Sequence, residues 1–196
     1  DVTNYILHDI GQPLHAFDYE KIEDQTINEK KYKKEIKFKT LDDIERTLST
    51  NDLTISDSKK PLCLAGIFGG IDSGISDKTT SIFLESAFFN PISVRKSAKH
   101  HNLSTDSSYR FERGVDPNIS KYALKRAVLM IKEVCKDSIV SSDLIDLYPK
   151  PIEDVQIILG FDKIKKIIGQ KIDKEIIKNI ISSLDIKINS ITESNL

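Results

Sequence analysis

Apolar and polar residues alternate in the first third of this chain with the period of β-strands. Residues 36–41 and 44–48 alternate on either side of two consecutive aspartates, which predicts two antiparallel strands joined by a two-residue turn. Residues 53–56 and 61–67 are predicted to form further strands. Together these segments predict a β-rich layer in this part of the chain.

Helix signals flank this layer. Residues 2–10 are predicted to form a short helix that ends at Gly11, with Thr3 or Asn4 near its start. Another helix is predicted after Asn90, because asparagine is a favoured N-cap residue and a proline follows it at the first helical position.

The longest helix is predicted to begin at Asp116, with Pro117 at its first position. Its apolar residues recur every three or four positions and define one face, formed by Ala123, Leu124, Ala127, Val128, Ile131, Val134 and Cys135. Residues 138–148 are predicted to add one or two strands.

Two prolines near position 150 predict a boundary between a first domain, residues 1–149, and a second, residues 150–196. Three elements are predicted in the second domain: a strand over residues 155–159, a helix over residues 161–168 that ends at Gly169, and a helix after Asp173. So short a segment rarely builds an independent core. We therefore expect an incomplete module, or one that leans on the first domain.

The segment 81–89 is mostly apolar without clean alternation, and it contains Glu85 near its middle. Such a run predicts a short strand buried on both faces, although a buried helix has the same pattern. A carboxylate removed from water is unstable unless it is paired or hydrogen-bonded. Glu85 is therefore either a satisfied structural carboxylate or one kept available for a ligand.

Flexible and polar segments flank Glu85 in the sequence. Three glycines within residues 66–70 permit positive φ and close approach of a ligand, although a tight turn explains them as well. Hydroxyl residues at 104–108 lead to Arg110 and Arg113. Convergence of these segments would form a cleft rimmed by cations, but no spacing rule requires it.

His15 follows a proline in a turn-like stretch, where a side chain is readily directed into a cleft. A single histidine is more often a surface or hydrogen-bonded residue than a proton carrier, so both roles stay open. Thr3 and Asn4 are likewise either plain helix caps or site residues.

Composition narrows the function classes. Apolar residues make up 39% and charged residues 30% of the chain, which is typical of a folded protein. The net charge of −1 gives no overall basic field, so any RNA contact must come from a local patch. No apolar run is long enough to cross a membrane. Cys63 and Cys135 are predicted to be buried free thiols of a cytosolic protein, and no histidine has metal-ligand spacing.

Five ordered blocks carry a resemblance to a known family: DVTNY at 1–5, GQPLHAFD at 11–18, LAGIFGG at 64–70, LESAFF at 84–89 and TDSSYRFERGVDP at 105–117. They resemble the B3/B4 region of the bacterial phenylalanyl-tRNA synthetase beta subunit, and residues 151–196 resemble the start of the B5 domain that follows it. The resemblance implies an α+β fold with mixed or antiparallel sheets and packed helices, followed by a small, incomplete α+β module. It also implies that the chain is an internal piece of a longer subunit, with which the starting Asp1 is consistent.

The resemblance implies that this region hydrolyses mischarged tyrosyl-tRNA. It assigns the reading of tyrosine to Glu85 and places His15 and Asn4 near the ester as the catalytic pair. The other implied substrate-binding positions are Thr3, Gly69, Gly70, Thr105 and Ser107, of which Ser107 stands where many relatives have alanine. Three cations are candidate contacts for tRNA phosphates, although pairing with nearby acids explains them equally well: Lys99, Arg110 and Arg113.

For the parent enzyme the resemblance implies phenylalanine–tRNA ligase activity with ATP and magnesium, tRNA and a separate alpha subunit as partners in an α2β2 heterotetramer, and a cytoplasmic location. No motif for ATP or metal is expected in this chain itself. Two alternatives stay open: a non-catalytic scaffold that binds tRNA or the partner subunit, and a module that only binds an aromatic amino acid.

Overall fold

The computed structural model describes residues 1–195, which form two compact units that divide between Leu147 and Tyr148. Antiparallel sheets and packed helices make up the first unit, which confirms the α+β class. The assignment of the second unit to a B5-like module stays a prediction, and its last residue, 196, lies outside the described residues. Across residues 1–195, none of the helices combines the length and apolar character that crossing a bilayer requires.

The helices and strands of the first unit are α1 (Val2–Ile10), β1 (Leu14–Asp18), β2 (Asn28–Lys30), β3 (Ile36–Lys39), β4 (Glu45–Leu48), β5 (Thr54–Ser56), β6 (Pro61–Leu64), β7 (Phe68–Gly69), β8 (Ile82–Ser86), α2 (Pro91–His100), α3 (Asp106–Phe111) and α4 (Ser120–Val134). The second unit contains α5 (Phe161–Ile168) and α6 (Lys174–Ser183).

Three antiparallel sheets organise the first unit: the ribbon β1–β8, the hairpin β3–β4, and a four-stranded sheet in the order β2-β5-β6-β7. One face of the ribbon packs through Leu14 and Leu84 against Ile6 of α1 and two buried alanines of α4. The other face packs through Phe17 and Phe83 into the main core, which also contains the four-stranded sheet. The segment around Glu85 is thus a strand covered on both faces, as predicted, although its residues keep partial exposure.

Several predicted elements are confirmed, the first helix to the residue and the hairpin with slightly shorter strands. Helix α1 spans 2–10 and ends at Gly11, whose φ of 77° suits a glycine, but its N-cap is Asp1 rather than Thr3 or Asn4. The carboxylate of Asp1 is closer to the free N–H groups, and it accepts the N–H of Thr3. Helix α2 is capped by Asn90, whose side chain accepts two backbone N–H groups. Strands β3 and β4 form the expected hairpin.

Other predictions are wrong, because the local sequence pattern that predicted each feature is not matched by the contacts that the fold provides. The carboxylate of Asp116 accepts only the N–H of Asn118 in a turn, so α4 begins at Ser120. Residues 138–148 and 155–159 form no strands, since no neighbouring strand is available to pair with either segment within residues 1–195. Cys63 is a buried free thiol, as predicted, but Cys135 is exposed because it lies where α4 ends.

The second unit consists of two amphipathic helices and extended segments. Helices α5 and α6 have the predicted bounds, with Gly169 ending the first and Asp173 capping the second. Each helix buries a single isoleucine well, Ile164 and Ile177 respectively. The unit contains no strand among its described residues, so the α+β expectation for this module is not met there.

Candidate functional site

His15 and Glu85 are direct cross-strand partners in the β1–β8 ribbon. Residues opposite each other in an antiparallel pair project from the same face, so both side chains lie on the face directed to the main core. Phe17 and Phe83 form the next pair on that face, and the His15 ring meets the Phe17 ring edge-on with centroids 4.4 Å apart. The ribbon therefore presents an acid and an imidazole side by side against an aromatic neighbour.

The four-stranded sheet supplies the opposite wall. A β-carbon at Gly69 would lie 2.8 Å from Cε1 of His15 and 2.8 Å from Cδ1 of Leu41, so the absence of a side chain makes room for the imidazole. Cys63 pairs with Gly69, and Glu29 lies two strands further along the same row. Burial, together with the nearby Glu85, raises the pKa of the Cys63 thiol, and the charge of Glu29 acts on the carboxyl group of Glu85.

Glu85 is partly buried, and its carboxyl group has no hydrogen bond or ion pair to any of residues 1–195. Burial, with a smaller contribution from the charge of Glu29, raises the pKa of Glu85 to about 8. At neutral pH the empty site therefore holds mainly the protonated acid. A hydrogen-bond donor that enters the site would favour the ionised form and draw the pKa down.

His15 is also unpaired. Its Nε2 atom is buried and has no hydrogen-bond partner among the described residues. Burial lowers the pKa of His15 to about 4, so the ring is neutral at pH 7. A neutral imidazole with one unsatisfied nitrogen is able to accept a proton or a hydrogen bond from a group placed beside it.

The glycine loop and the hydroxyl loop are tied to each other. Thr105 caps α3, accepts the N–H of Ser108, and donates its hydroxyl to the carbonyl of Ile67 at 2.8 Å. Its hydroxyl is thus engaged within the protein. Ser107 is partly buried and makes no side-chain hydrogen bond within residues 1–195. Gly70 lies against the Leu62 carbonyl and the Phe38 ring rather than beside His15.

Thr3 and Asn4 form no hydrogen bond with His15 or Glu85 in the described part of the chain. The hydroxyl of Thr3 donates to Asp1 at 2.9 Å, and Asn4 is exposed on α1. Helix α1 packs on the ribbon face opposite to the one that carries His15. No hydrogen bond in the described part of the chain joins Asn4 to His15 or Glu85, so its catalytic role stays a prediction.

The three candidate cations differ in their surroundings. Arg113 pairs with Glu112 at 2.5 Å, and its guanidinium lies 3.6 Å from the centroid of the Tyr109 ring. Lys99 is exposed on α2 and Arg110 is partly buried on α3; neither forms an ion pair with any of residues 1–195. Helices α2 and α3, which carry Lys99 and Arg110, pack against each other, and Arg113 follows shortly after α3.

Two cavities stand out in the described residues, and neither adjoins Glu85. One of about 430 Å³ is lined by residues between Lys178 and Ile191 in the second unit. The other, of about 10 Å³, lies between Phe89 and Ser97. The expected aromatic pocket is therefore not among these two.

The sequence did not reveal a second acid–histidine cluster, formed by Asp52, Ser97 and His101. Asp52 accepts the hydroxyl of Ser97 at 2.5 Å and lies 2.8 Å from Nε2 of His101. Burial alone would raise the pKa of Asp52, but the hydrogen bonds from Ser97, from His101 and from the N–H of Ser49 outweigh it and hold the pKa below its usual value. Its members lie as many as 49 positions apart, and no sequence signal joins them.

Comparison with known proteins identifies the family of the first unit. The family model of the B3/4 domain matches residues 1–136, which is most of the first unit. The chain belongs to the B3/4 domain family. All of the β1–β8 ribbon, including His15 and Glu85, falls within this match.

Relatives of the whole chain carry one printed name, phenylalanine–tRNA ligase beta subunit. The protein of Bacteroides fragilis (strain YCH46) is 46% identical over 196 residues, and that of Porphyromonas gingivalis (strain W83) is 45% identical over 190 residues, 96% of this chain. The corresponding subunit of Geobacter sulfurreducens is 42% identical over 94% of the chain. The chain spans about a quarter of the length of the curated relatives it matches, 24% for the Bacteroides fragilis protein. The chain is thus similar to about a quarter of each of these subunits.

Proposed function

We propose that this chain is part of the beta subunit of a phenylalanine–tRNA ligase and carries a proofreading site that hydrolyses mischarged tyrosyl-tRNA. The observation that carries the proposal is the in-register pair of His15 and Glu85. Nε2 of His15 is buried without a partner, and the partly buried carboxyl group of Glu85 forms no hydrogen bond or ion pair within the described residues. Unpaired polar groups on a partly buried face are costly, and a ligand that satisfies them explains why they are retained. The B3/4 match and the names of the relatives support the same assignment.

Glu85 recognises the wrong amino acid, tyrosine. A pocket made for phenylalanine rejects tyrosine poorly, because the two differ by a single added hydroxyl. A second site that reads this hydroxyl is therefore required. The phenol donates a hydrogen bond to the carboxyl group of Glu85, which is worth about 1.5–3 kcal/mol when the acceptor is charged. Phenylalanine would leave the group desolvated and unpaired, so it is disfavoured.

Hydrolysis of the ester then needs a positioned water. Oxygen of the water attacks the ester carbonyl carbon, the bond to the ribose oxygen breaks, and that oxygen takes up a proton. Neutral His15, with its unsatisfied Nε2, orients this water and accepts its hydrogen bond. The free hydroxyl of the terminal ribose assists, and Gly69 leaves room for the imidazole. The family resemblance alone assigns the remaining proposed positions, none of which forms a hydrogen bond with His15 or Glu85 in the described residues: Thr3, Asn4, Gly70, Thr105 and Ser107.

For the parent enzyme we propose attachment of phenylalanine to its tRNA in the cytoplasm, with ATP and magnesium held elsewhere in the assembly. Its partners are tRNA and an alpha subunit, in an α2β2 arrangement. This chain by itself is not proposed to carry out aminoacylation, and Lys99, Arg110 and Arg113 are its candidate contacts to tRNA phosphates.

A non-catalytic scaffold is the second candidate function. It is favoured by the cavities, since neither of the two described adjoins Glu85, and by the internal engagement of the Thr105 hydroxyl. Under this alternative the domain binds tRNA or the partner subunit without chemistry.

Deacylation of tyrosyl-tRNA and phenylalanyl-tRNA, by both this chain and the full-length ligase, distinguishes the two functions. We expect the parent to hydrolyse the tyrosyl ester and spare the phenylalanyl ester. Glu85→Ala is expected to lower the preference for the tyrosyl ester by at least about tenfold, the equivalent of 1.4 kcal/mol. Glu35→Ala is the matched control, because Glu35 is an exposed acid outside the site. Equal discrimination by the Glu85 variant and the parent ligase would leave the scaffold as the better function.

A further inference from the structure

We propose that Asp52, His100 and His101 form a binding site for Zn²⁺ or a similar divalent cation that prefers imidazole, with a fourth coordination position open to solvent. The site lies where α2 ends, against the turn that precedes β5. It is separate from the ribbon that carries His15 and Glu85, and the proposed editing function does not depend on it.

The distances suit a small cation. One ligand atom from each of the three side chains lies within 4.8 Å of the other two. Bonds of about 2.0–2.1 Å to zinc place tetrahedral ligand atoms roughly 3.3 Å apart. Asp52 Oδ2 and His101 Nε2, 2.8 Å apart, are already close to this separation. Only the ring of His100 has to approach further.

The three side chains differ in their exposure to solvent. The side chains of Asp52 and His101 are 1% and 5% exposed, so both are fixed by packing. His100 is exposed, and its ring meets that of His101 edge-on with centroids 4.8 Å apart. A change of side-chain rotamer at His100 closes the remaining gap without movement of the backbone.

Neighbouring groups orient the carboxylate. The hydroxyl of Ser97 donates to Oδ1 of Asp52 at 2.5 Å, and the N–H of Ser49 donates to Oδ2 at 2.7 Å. Outer-shell hydrogen bonds of this kind hold metal ligands in place. His100 is the last residue of α2, where the negative end of the helix dipole favours a cation.

Binding replaces a hydrogen bond with coordination. Without a cation, Asp52 and His101 share a proton in a direct hydrogen bond. A cation displaces the proton from Nε2 of His101, which passes to solvent or to Nδ1 of the ring. One carboxylate and two neutral imidazoles form a donor set suited to Zn²⁺, Co²⁺ or Ni²⁺, while Mg²⁺ prefers oxygen ligands.

Calorimetric titration of the chelator-washed full chain with Zn²⁺ tests the proposal, and Co²⁺ provides a visible spectrum that reports tetrahedral coordination. We expect saturable binding at one site. His100→Gln is the decisive variant because the residue is exposed and its replacement leaves the fold intact. We expect it to weaken Zn²⁺ affinity by at least about tenfold, the lower limit of the loss that follows removal even of an outer-shell partner.

His8→Gln is the matched control, since His8 is an exposed histidine on α1 and should bind no cation. Unchanged affinity in the His8 variant together with the loss in the His100 variant supports the site. No saturable binding by the parent, equal affinity in the His100 variant, or an equal loss in both variants would each overturn it.

Discussion

Two acid–histidine pairs in the same B3/4 domain have opposite electrostatic states. Glu85 and His15 face each other across the β1–β8 ribbon without hydrogen-bond partners among residues 1–195, and burial pushes the pKa of the acid up and that of the imidazole down. Asp52 accepts three hydrogen bonds, from Ser97, His101 and the N–H of Ser49, and its pKa is held low. Both pairs are shielded from water, so hydrogen bonding rather than burial decides which acid is ionised.

The difference separates a pair whose polar groups have no partner in the protein from a cluster whose internal hydrogen bonds contribute to folding when no cation is bound. A carboxyl group that has no hydrogen-bond partner and is shielded from water is mainly neutral. It gains most from a ligand that donates a hydrogen bond, such as a phenol. A carboxylate that accepts several hydrogen bonds, such as Asp52, is already ionised. The groups that donate to it would lose their acceptor if it were removed. The predictions below test this contrast, beginning with the pair whose loss should cost most.

Asp52→Ala is expected to lower the free energy of unfolding by about 3 kcal/mol, because it leaves a hydroxyl, an imidazole and a backbone N–H without their acceptor. Urea unfolding followed by circular dichroism measures this, since the chain has no tryptophan for fluorescence. Asp77→Ala is the control: this acid is exposed, and we expect a change within about 0.5 kcal/mol. Similar losses in the two variants would show that the Asp52 cluster contributes nothing special to stability.

Glu85→Gln is expected to remove a loss of stability that occurs as the pH rises. A raised folded-state pKa, as at Glu85, has the opposite pH dependence to a lowered one, as at Asp52. The folded-state pKa of Glu85, about 8, exceeds its ordinary value of 4.5, so its contribution is fully present below pH 4.5 and is lost as pH rises through 8. Above pH 6.5 His15 is mainly neutral in both the folded and unfolded states, which isolates Glu85.

Between pH 6.5 and 8 we expect the parent to lose about 1 kcal/mol more stability than the Glu85→Gln variant, because the partial exposure of the residue reduces the full linkage effect. Urea unfolding at a series of pH values measures the slope, with Glu35→Gln as the exposed control. Parallel curves for the parent and both variants would contradict a raised pKa at Glu85.

The smallest effect is expected at the surface cations. Here too, a side chain without an ion pair is compared with one that is paired within the protein. Lys99→Ala should lower the salt dependence of tRNA binding by about one unit of log–log slope, as expected for one lost phosphate contact. Arg113→Ala should change it less, because its guanidinium is engaged by Glu112 and Tyr109. Filter binding of tRNA at several salt concentrations gives both slopes, and a larger change at Arg113 would reverse the assignment.

Local sequence signals predicted the elements well where a cap or a turn defines them. Asn90, Gly169 and Asp173 mark helix ends through hydrogen bonds and φ values that depend on a few neighbouring residues. The signals failed where a partner was needed. Residues 138–148 have strand-like composition but no strand beside them in the described structure, and Asp116 caps a turn rather than α4.

The site was predictable only in part. The sequence was enough to identify Glu85 as an acid within an apolar strand, because burial of a carboxylate without a partner costs free energy. The sequence determined the helix caps, the hairpin and the residues able to take part in proofreading, because these depend on side-chain type and short spacing. Only the tertiary structure decided that His15 stands opposite Glu85, that Gly69 makes room for the imidazole, and that Asp52 contacts His101 just after α2. These contacts depend on strand register and packing between distant segments, which no local pattern records.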